Sequence, residues 1–249
     1  MKKLNRALNL ILPFLPVTAI IVLWVISARS VNNDILLPTV KQTLIALVDL
    51  FKDKQFYISL LGTVLRSFIA FVLSFIIAFI LAVVTVKNST AQKIISPIIK
   101  IMRALPTIAV ILLLLLWTNS FIAPIVVTTL VVLPTSYTHL ESAFSALDKT
   151  VAEAGRVDGA NEFNVFTMVE LPQALPSVFS SIGSGISLNF KLMVAAEVLA
   201  QTAKSIGYML NVSKAYFETA EMVALVVIAI LFGVIIESLF NFIAKKTER

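Results

Sequence analysis

From Ala104 to Leu140 the chain runs for 37 residues without a formal charge, and no other feature constrains its fold as much. One helical crossing of a hydrocarbon core takes only about 20 residues. The stretch therefore holds two crossings, and Thr118-Asn119-Ser120 is the polar break at which the chain turns. A helical hairpin is expected, with its first arm ending near Trp117 and its second running from Phe121 to about Tyr137. Helices are the form such runs take, because a bilayer offers no water to their backbone groups.

Four further apolar runs bring the expected number of spans to about six. They are Leu8 to Ala28, Ser67 to Val86, Leu171 to about Leu199, and Met222 to Ala244, so the hairpin supplies the third and fourth spans. The first run follows a basic start, and no small-residue cleavage site clearly follows it; it is read as a retained span rather than a signal peptide. The composition agrees: 59% of residues are hydrophobic and 14% charged, against about 25% charged in a soluble domain. The fold class is all-α and polytopic, with residues 1–249 forming a single transmembrane domain.

Six spans put both termini on one side, and cations tend to lie in the cytoplasm. With the termini inside, the inner segments hold Lys2, Lys3, Arg6, Lys87, Lys93, Lys100, Arg103, Lys149, Arg156, Lys245, Lys246 and Arg249. The outer ones hold half as many: Arg29, Lys41, Lys52, Lys54, Lys204 and Lys214. This bias predicts an N-in, C-in protein. In the outer loop, Val40, Leu44, Leu47, Val48 and Phe51 recur at helical spacing behind Pro38-Thr39, which predicts a short amphipathic helix along the outer interface. It either packs over the bundle or contributes to binding.

Some chemistry is excluded. The chain has no cysteine and one histidine, His139, which removes thiol catalysis and metal clusters from consideration. The net charge of +6 has no basic tract with interleaved aromatics behind it, so nucleic acid is not expected as a partner. No catalytic residues and no metal ligands are assigned.

The expected cytoplasmic segment, about 141–171, is more polar than its flanks and carries folding signals. Thr150 to Glu153 reads as a capping box, which would start a helix near Val151. Gly159 offers a left-handed stop, and Asn161 can cap a second short helix bearing Phe163, Val165, Phe166 and Val169. Pro172, in a first turn, would open the fifth span. The two phenylalanines either tuck against the bundle or fill the groove of a soluble partner.

The stretch from Glu153 to Pro172 resembles the coupling loop of ABC importer permeases: Glu-Ala-Ala, three residues, Gly, nine residues, an aliphatic, one residue, Leu-Pro. Here Glu153-Ala154-Gly155 is followed by Gly159, Ala160, Val169 and Leu171-Pro172 at matching spacings, with Gly155 in place of the second alanine. "GTVLRSFIAFVLSFIIAFILAVV", "ALPTIAVILLLLLW" and "LPQALPSVFSSIGSGISLNFKLMVAAEVLA" extend the similarity to permeases of the nitrate, aliphatic sulfonate, taurine and thiamine-precursor importer group. Trp117 departs from it, being followed by Thr118-Asn119 where members commonly have Phe-Gly.

The resemblance implies a type I importer permease in a bacterial inner membrane. It implies a pairing with a second permease subunit, copy or paralogue, a cytoplasmic ATPase dimer and an extracytoplasmic binding protein or lipoprotein. Glu153, Ala154, Gly155, Gly159, Ala160, Phe163, Phe166, Leu171 and Pro172 would form the coupling element. No Gly-rich phosphate loop with Lys-Ser/Thr occurs here, so ATP and Mg would be bound by the partner ATPase and no cofactor by this chain. The alternative class, an ion-coupled secondary carrier, tends to show internal repeats and several buried acids.

Arg66, Lys191 and Glu197 fall in or near spans, where a charge costs at least about 2.5–3.5 kcal/mol. Lys191 precedes Glu197 by six residues, about 120° around a helix, so Arg66 is the better partner for the acid. Such a pair could be structural or could line the solute path. Ser180, Ser181, Gly183, Ser184, Gly185 and Ser187 mark a seam of close helix packing, within one subunit or around a pore. His139 reads as an interface residue or a proton relay.

Overall fold

The computed structural model describes residues 15–157 and 159–247, and every regular element among them is a helix. In chain order these are α1 (Leu15–Val31), α2 (Val40–Leu50), α3 (Lys54–Lys87), α4 (Ser89–Ala104), α5 (Thr107–Trp117), α6 (Ile122–Ser145) and α7 (Lys149–Val157). They continue with α8 (Glu162–Val165), a π-helical stretch (Phe166–Glu170), α9 (Leu171–Ala200), α10 (Ile206–Ala215) and α11 (Thr219–Thr247). Four of these runs are long and apolar enough to cross a membrane: α3, α6, the continuous run Glu162–Ala200, and α11. The apolar helices α4 and α5, which meet at 91°, bring the number to five if together they make one span. The expected first span began at Leu8; its residues before Leu15 lie outside the described residues, and α1 is a shorter apolar helix.

Three spans differ from expectation. The second begins at Lys54 rather than Ser67, because Arg66 finds a buried partner and need not mark a membrane boundary. The third is broken at Leu105-Pro106. Both residues are extended, with ψ of 128° and 105°, and at Leu105 the cause is the proline ring that follows, which disfavours helical backbone in the residue before it. The fourth continues past Tyr137 to Ser145, carrying His139 with it.

The described chain forms two compact units. One contains the described residues up to Tyr57 together with Met209–Val227. In it Thr39 and Gln42 make a reciprocal capping box at the start of α2, and the Trp24 indole N–H donates to the Pro38 carbonyl at 2.9 Å. Leu44 and Val48 of α2 and Phe51 at its C-cap are exposed, as an interfacial helix requires.

The other unit, Ile58–Tyr208 with the chain from Ile228 onward, positions both candidate sites. Its core joins Ala78 and Ala82 of α3, Leu133, Tyr137, Leu140 and Phe144 of α6, and Ala174 and Val178 of α9. A file of rings, Phe71, Phe75, Phe79, Phe144 and Phe166, runs along it with centroids 5.5 to 6.4 Å apart. The small residues of α9 serve this packing: a Cβ on Gly183 would press on Phe240 of α11, and one on Gly185 on Phe71 of α3. The seam inside one subunit is thus present, and Ser181 and Ser187 are buried along it.

Candidate functional site

The polar segment after α6 folds into two short helices around a glycine. Its first cap is Asp148, not Thr150: Asp148 Oδ1 accepts from the Thr150 backbone N–H at 2.9 Å, so α7 starts at Lys149. Aspartate is the stronger cap of the two. Thr150's donors hold the Asp148 carboxyl below its usual range. At the other end Gly159 has φ of 87°, with bonds from Gly159 N to Arg156 O and from Ala160 N to Gly155 O. That pair is a Schellman stop, which needs the left-handed conformation that glycine takes without strain. Asn161 caps α8, accepting from Asn164 N at 2.8 Å.

The helix does not restart at Pro172. It runs from Glu162 through the π stretch into α9, where the Leu171 N–H reaches back five residues to Phe166 O. Pro172 has no N–H to give and its ring crowds the carbonyl four residues back, so the widened turn just before it relieves that strain. The short helix α8 is therefore continuous with the long apolar helix α9.

Phe163 and Phe166, expected to face a partner together, diverge. Phe163 is 73% exposed. Phe166 is half-buried, packed on Phe144 at 6.0 Å with the Lys87 ammonium 4.8 Å from its ring centre. Three residues along a helix is close to one turn but not a full one, about 300° of rotation, so the two rings point to different sides. Glu153, Ala154, Gly159 and Ala160 are exposed, Pro172 is exposed, and Gly155 and Leu171 are partly buried.

The segment is fastened by charges that sequence reading missed. Arg156 bonds Glu162 at 2.7 Å and Glu170 at 3.3 Å, and Lys87, at the end of α3, lies 3.2 Å from Glu170 and 3.9 Å from Glu162. The bond to Glu162, reinforced by the charge of Glu170, raises the Arg156 pKa further above its ordinary value. Arg156 and Glu162 flank the glycine turn, a signal that was visible; Lys87 is distant in sequence and gave none. The four side chains border a cavity of about 550 Å³ with Val83, Phe144 and Ala152.

Arg66 and Glu197 are brought together and Lys191 is left out. Arg66 is 4% exposed and Glu197 0%. Arg66 Nη2 lies 2.7 Å and Nε 2.8 Å from Glu197 Oε1, while Thr63 Oγ1 donates to Oε2 at 2.8 Å and the Gly207 N–H approaches it at 3.4 Å. Arg66 also donates to the Lys204 carbonyl at 3.1 Å and stacks 5.5 Å from the Phe121 ring centre. A Cβ on Gly62 would collide with that carbonyl, and one on Gly207 with Glu197 itself. The cluster ties α3, the end of α9 and the start of α10 together. Thr63, three residues before Arg66 and so on its face, was the legible clue to this shell. Lys191 is exposed on the flank of α9, its stem against Gly233. His139 is exposed near the end of α6.

Residues 70–249 match the family model described as "Binding-protein-dependent transport system inner membrane component". Among curated relatives, the taurine transport system permease protein TauC of Escherichia coli is 22% identical over 84% of this chain and 78% of its own length. The riboflavin transport system permease protein RibX of Chloroflexus aurantiacus is 25% identical over 51% of this chain, a match that spans 48% of the riboflavin protein. Among solved structures, an inward-facing MetNI methionine ABC transporter superposes with a TM-score of 0.67 over 76% of this chain and 94% of its own, at 19% identity, a likeness of fold. With its several apolar crossings and a match over most of its length, the chain belongs to the binding-protein-dependent transport system inner membrane component family: it is a multi-pass permease subunit of ABC importer type, not an enzyme.

Proposed function

We propose that this permease forms the translocation path for a small solute in a bacterial cytoplasmic membrane, N-in and C-in, as one transmembrane domain paired with a second permease. Two copies of a cytoplasmic ATPase, which carry ATP and Mg, seat on residues 153–172, and an extracytoplasmic binding protein delivers the solute. The observation that carries this reading is the exposed apolar tip of the capped segment. Phe163 and Met168, about three-quarters exposed, project from a segment held by caps, a glycine turn and ion pairs. A tip held in this way suits a lever in two-state rocking, and its continuity with α9 gives the lever something to move. The relatives' names supply candidate solutes, taurine and riboflavin, without choosing between them.

The test is reconstitution with the cognate ATPase and binding protein. Uptake into vesicles should require the ATPase and ATP and should stop with vanadate. Gly159→Asp should leave the protein inserted yet abolish the stimulation of ATP hydrolysis by loaded binding protein. Uptake by the chain alone, driven by an ion gradient, would refute the reading.

A further inference from the structure

The helix α4 carries three different faces. Ile95, Ile99 and Met102 recur at helical spacing and pack into the core beside α3 and α6. Ile94, Ile98 and Ile101 recur in the same way about a third of a turn round, and they are 52% to 65% exposed. Lys93, Lys100 and Arg103 form a further stripe, about a third of a turn from each of the others, and all three are exposed. Among the described residues none of these cations makes an ion pair, and α4 itself contains no acid. Glu141 of α6 borders a small cavity of about 160 Å³ with Lys100 and Arg103; it accepts from Gln92 at 3.4 Å and pairs with neither cation.

The direction of α4 says what such a helix faces. Residues 118–121 join α5 to α6, and the two pack together through Ile111 and Val127, so α5 runs with the spans. At 91° to α5, α4 runs across them. Set along a crossing, it would separate Lys93 and Arg103 by about 15 Å in depth and hold one of them well inside hydrocarbon, where charge is costly. Set along the interface, it keeps all three cations at one level.

We propose that α4 lies in the plane of the membrane interface and binds anionic phospholipid headgroups. Its isoleucines enter the acyl boundary, its inward face stays on the bundle, and Lys93, Lys100 and Arg103, turned away from both, meet the headgroup phosphates. Because α4 begins two residues after Lys87, which lies 3.2 Å from Glu170, this lipid contact stands at the coupling end of the bundle. Which side of the membrane that is rests on the orientation proposed above; the in-plane placement and the lipid chemistry do not.

The chain lacks cysteine, so Ile94→Cys, Ile98→Cys and Ile101→Cys each supply a single site for a nitroxide. The purified full chain is placed in phosphatidylcholine vesicles containing some phosphatidylglycerol, and depth is read from relaxation by oxygen against a water-soluble nickel complex. The three labels should report one depth to within about 3 Å, whereas a crossing would grade them by about 10 Å from position 94 to position 101. A fluorophore on Ile98→Cys, quenched by nitroxide-bearing phosphatidylglycerol or phosphatidylcholine, then reads the headgroup. Quenching should favour phosphatidylglycerol by about threefold or more, and changing Lys93, Lys100 and Arg103 together to Gln should bring the ratio close to unity. Lys93→Arg with Lys100→Arg should keep the preference. Graded depths, a label on Ile98→Cys that neither lipid quenches, as a face kept for a protein partner requires, or a headgroup preference absent or indifferent to the three cations would overturn the proposal. No ATPase or binding protein is present, so failure here leaves the coupling test untouched, and failure of coupling leaves this result standing.

Discussion

Removing one member of the buried ion pair should cost far more than removing both. In Glu197→Gln the Arg66 guanidinium keeps the Lys204 carbonyl and the Phe121 ring but loses its counter-charge, and a guanidinium cannot shed its proton. An uncompensated buried charge of this sort costs about 3–5 kcal/mol. Arg66→Met should cost less, because Glu197 can take up a proton and keeps Thr63 and Gly207 as donors. Replacing both, Arg66→Met with Glu197→Leu, should return to within about 1–2 kcal/mol of the parent, since desolvation of two charges is removed along with their attraction. A charge swap, Arg66→Glu with Glu197→Arg, looks restorative from sequence alone, but the surroundings oppose it. Position 66 would turn a carboxylate toward the Lys204 carbonyl, and position 197 a cation toward two donors. The swap should therefore remain below the apolar double variant. Unfolding by SDS in mixed micelles, read by tryptophan fluorescence, gives the ranking. A Glu197→Gln cost under about 1 kcal/mol, or an apolar double variant no better than the worse single one, would refute the reasoning.

The coupling segment yields the remaining expectations. Gly159→Asp forces a side chain into φ of 87° at a cost of about 1–2 kcal/mol, so expression and insertion should persist while ATPase stimulation by loaded binding protein is lost. Gly155→Ala should stabilise by about 0.5–1 kcal/mol, because the position is within a helix and an added Cβ meets only Val165 Cγ2 at an ordinary 3.8 Å; a thermal melt of the purified permease checks it. Phe163→Ala should weaken co-purification with the ATPase without changing permease stability. Phe166→Ala should do the reverse, losing about 2 kcal/mol of packing, and a shared outcome for the two variants would contradict the inward turn of Phe166.

Much of the fold was readable because hydrocarbon length is a one-dimensional constraint. Charge-free runs located the hairpin turn at Thr118-Asn119-Ser120, and glycine and asparagine marked the stops and caps at 159 and 161, since those effects act within a turn of the chain. Two misplacements come from distant partners and the third, at Thr150, from a neighbour two residues away. Arg66 looked like a boundary because a charge in a span is costly, and it proved to be interior because a residue 131 positions away neutralises it. Thr150 looked like a cap, yet Asp148 was better placed; Phe166 looked like a partner contact until Phe144 and Lys87 claimed its two faces.

The sequence by itself determined that the chain crosses a membrane several times and that one polar, capped, glycine-punctuated segment interrupts its apolar runs, because apolar run length and local backbone preference need no knowledge of neighbours. Only the tertiary structure decided which phenylalanine is presented and how Lys87, Arg156, Glu162 and Glu170 clamp the segment. Those are matters of which distant surfaces meet, and pairing energies between residues tens of positions apart leave no periodicity in the chain that carries them.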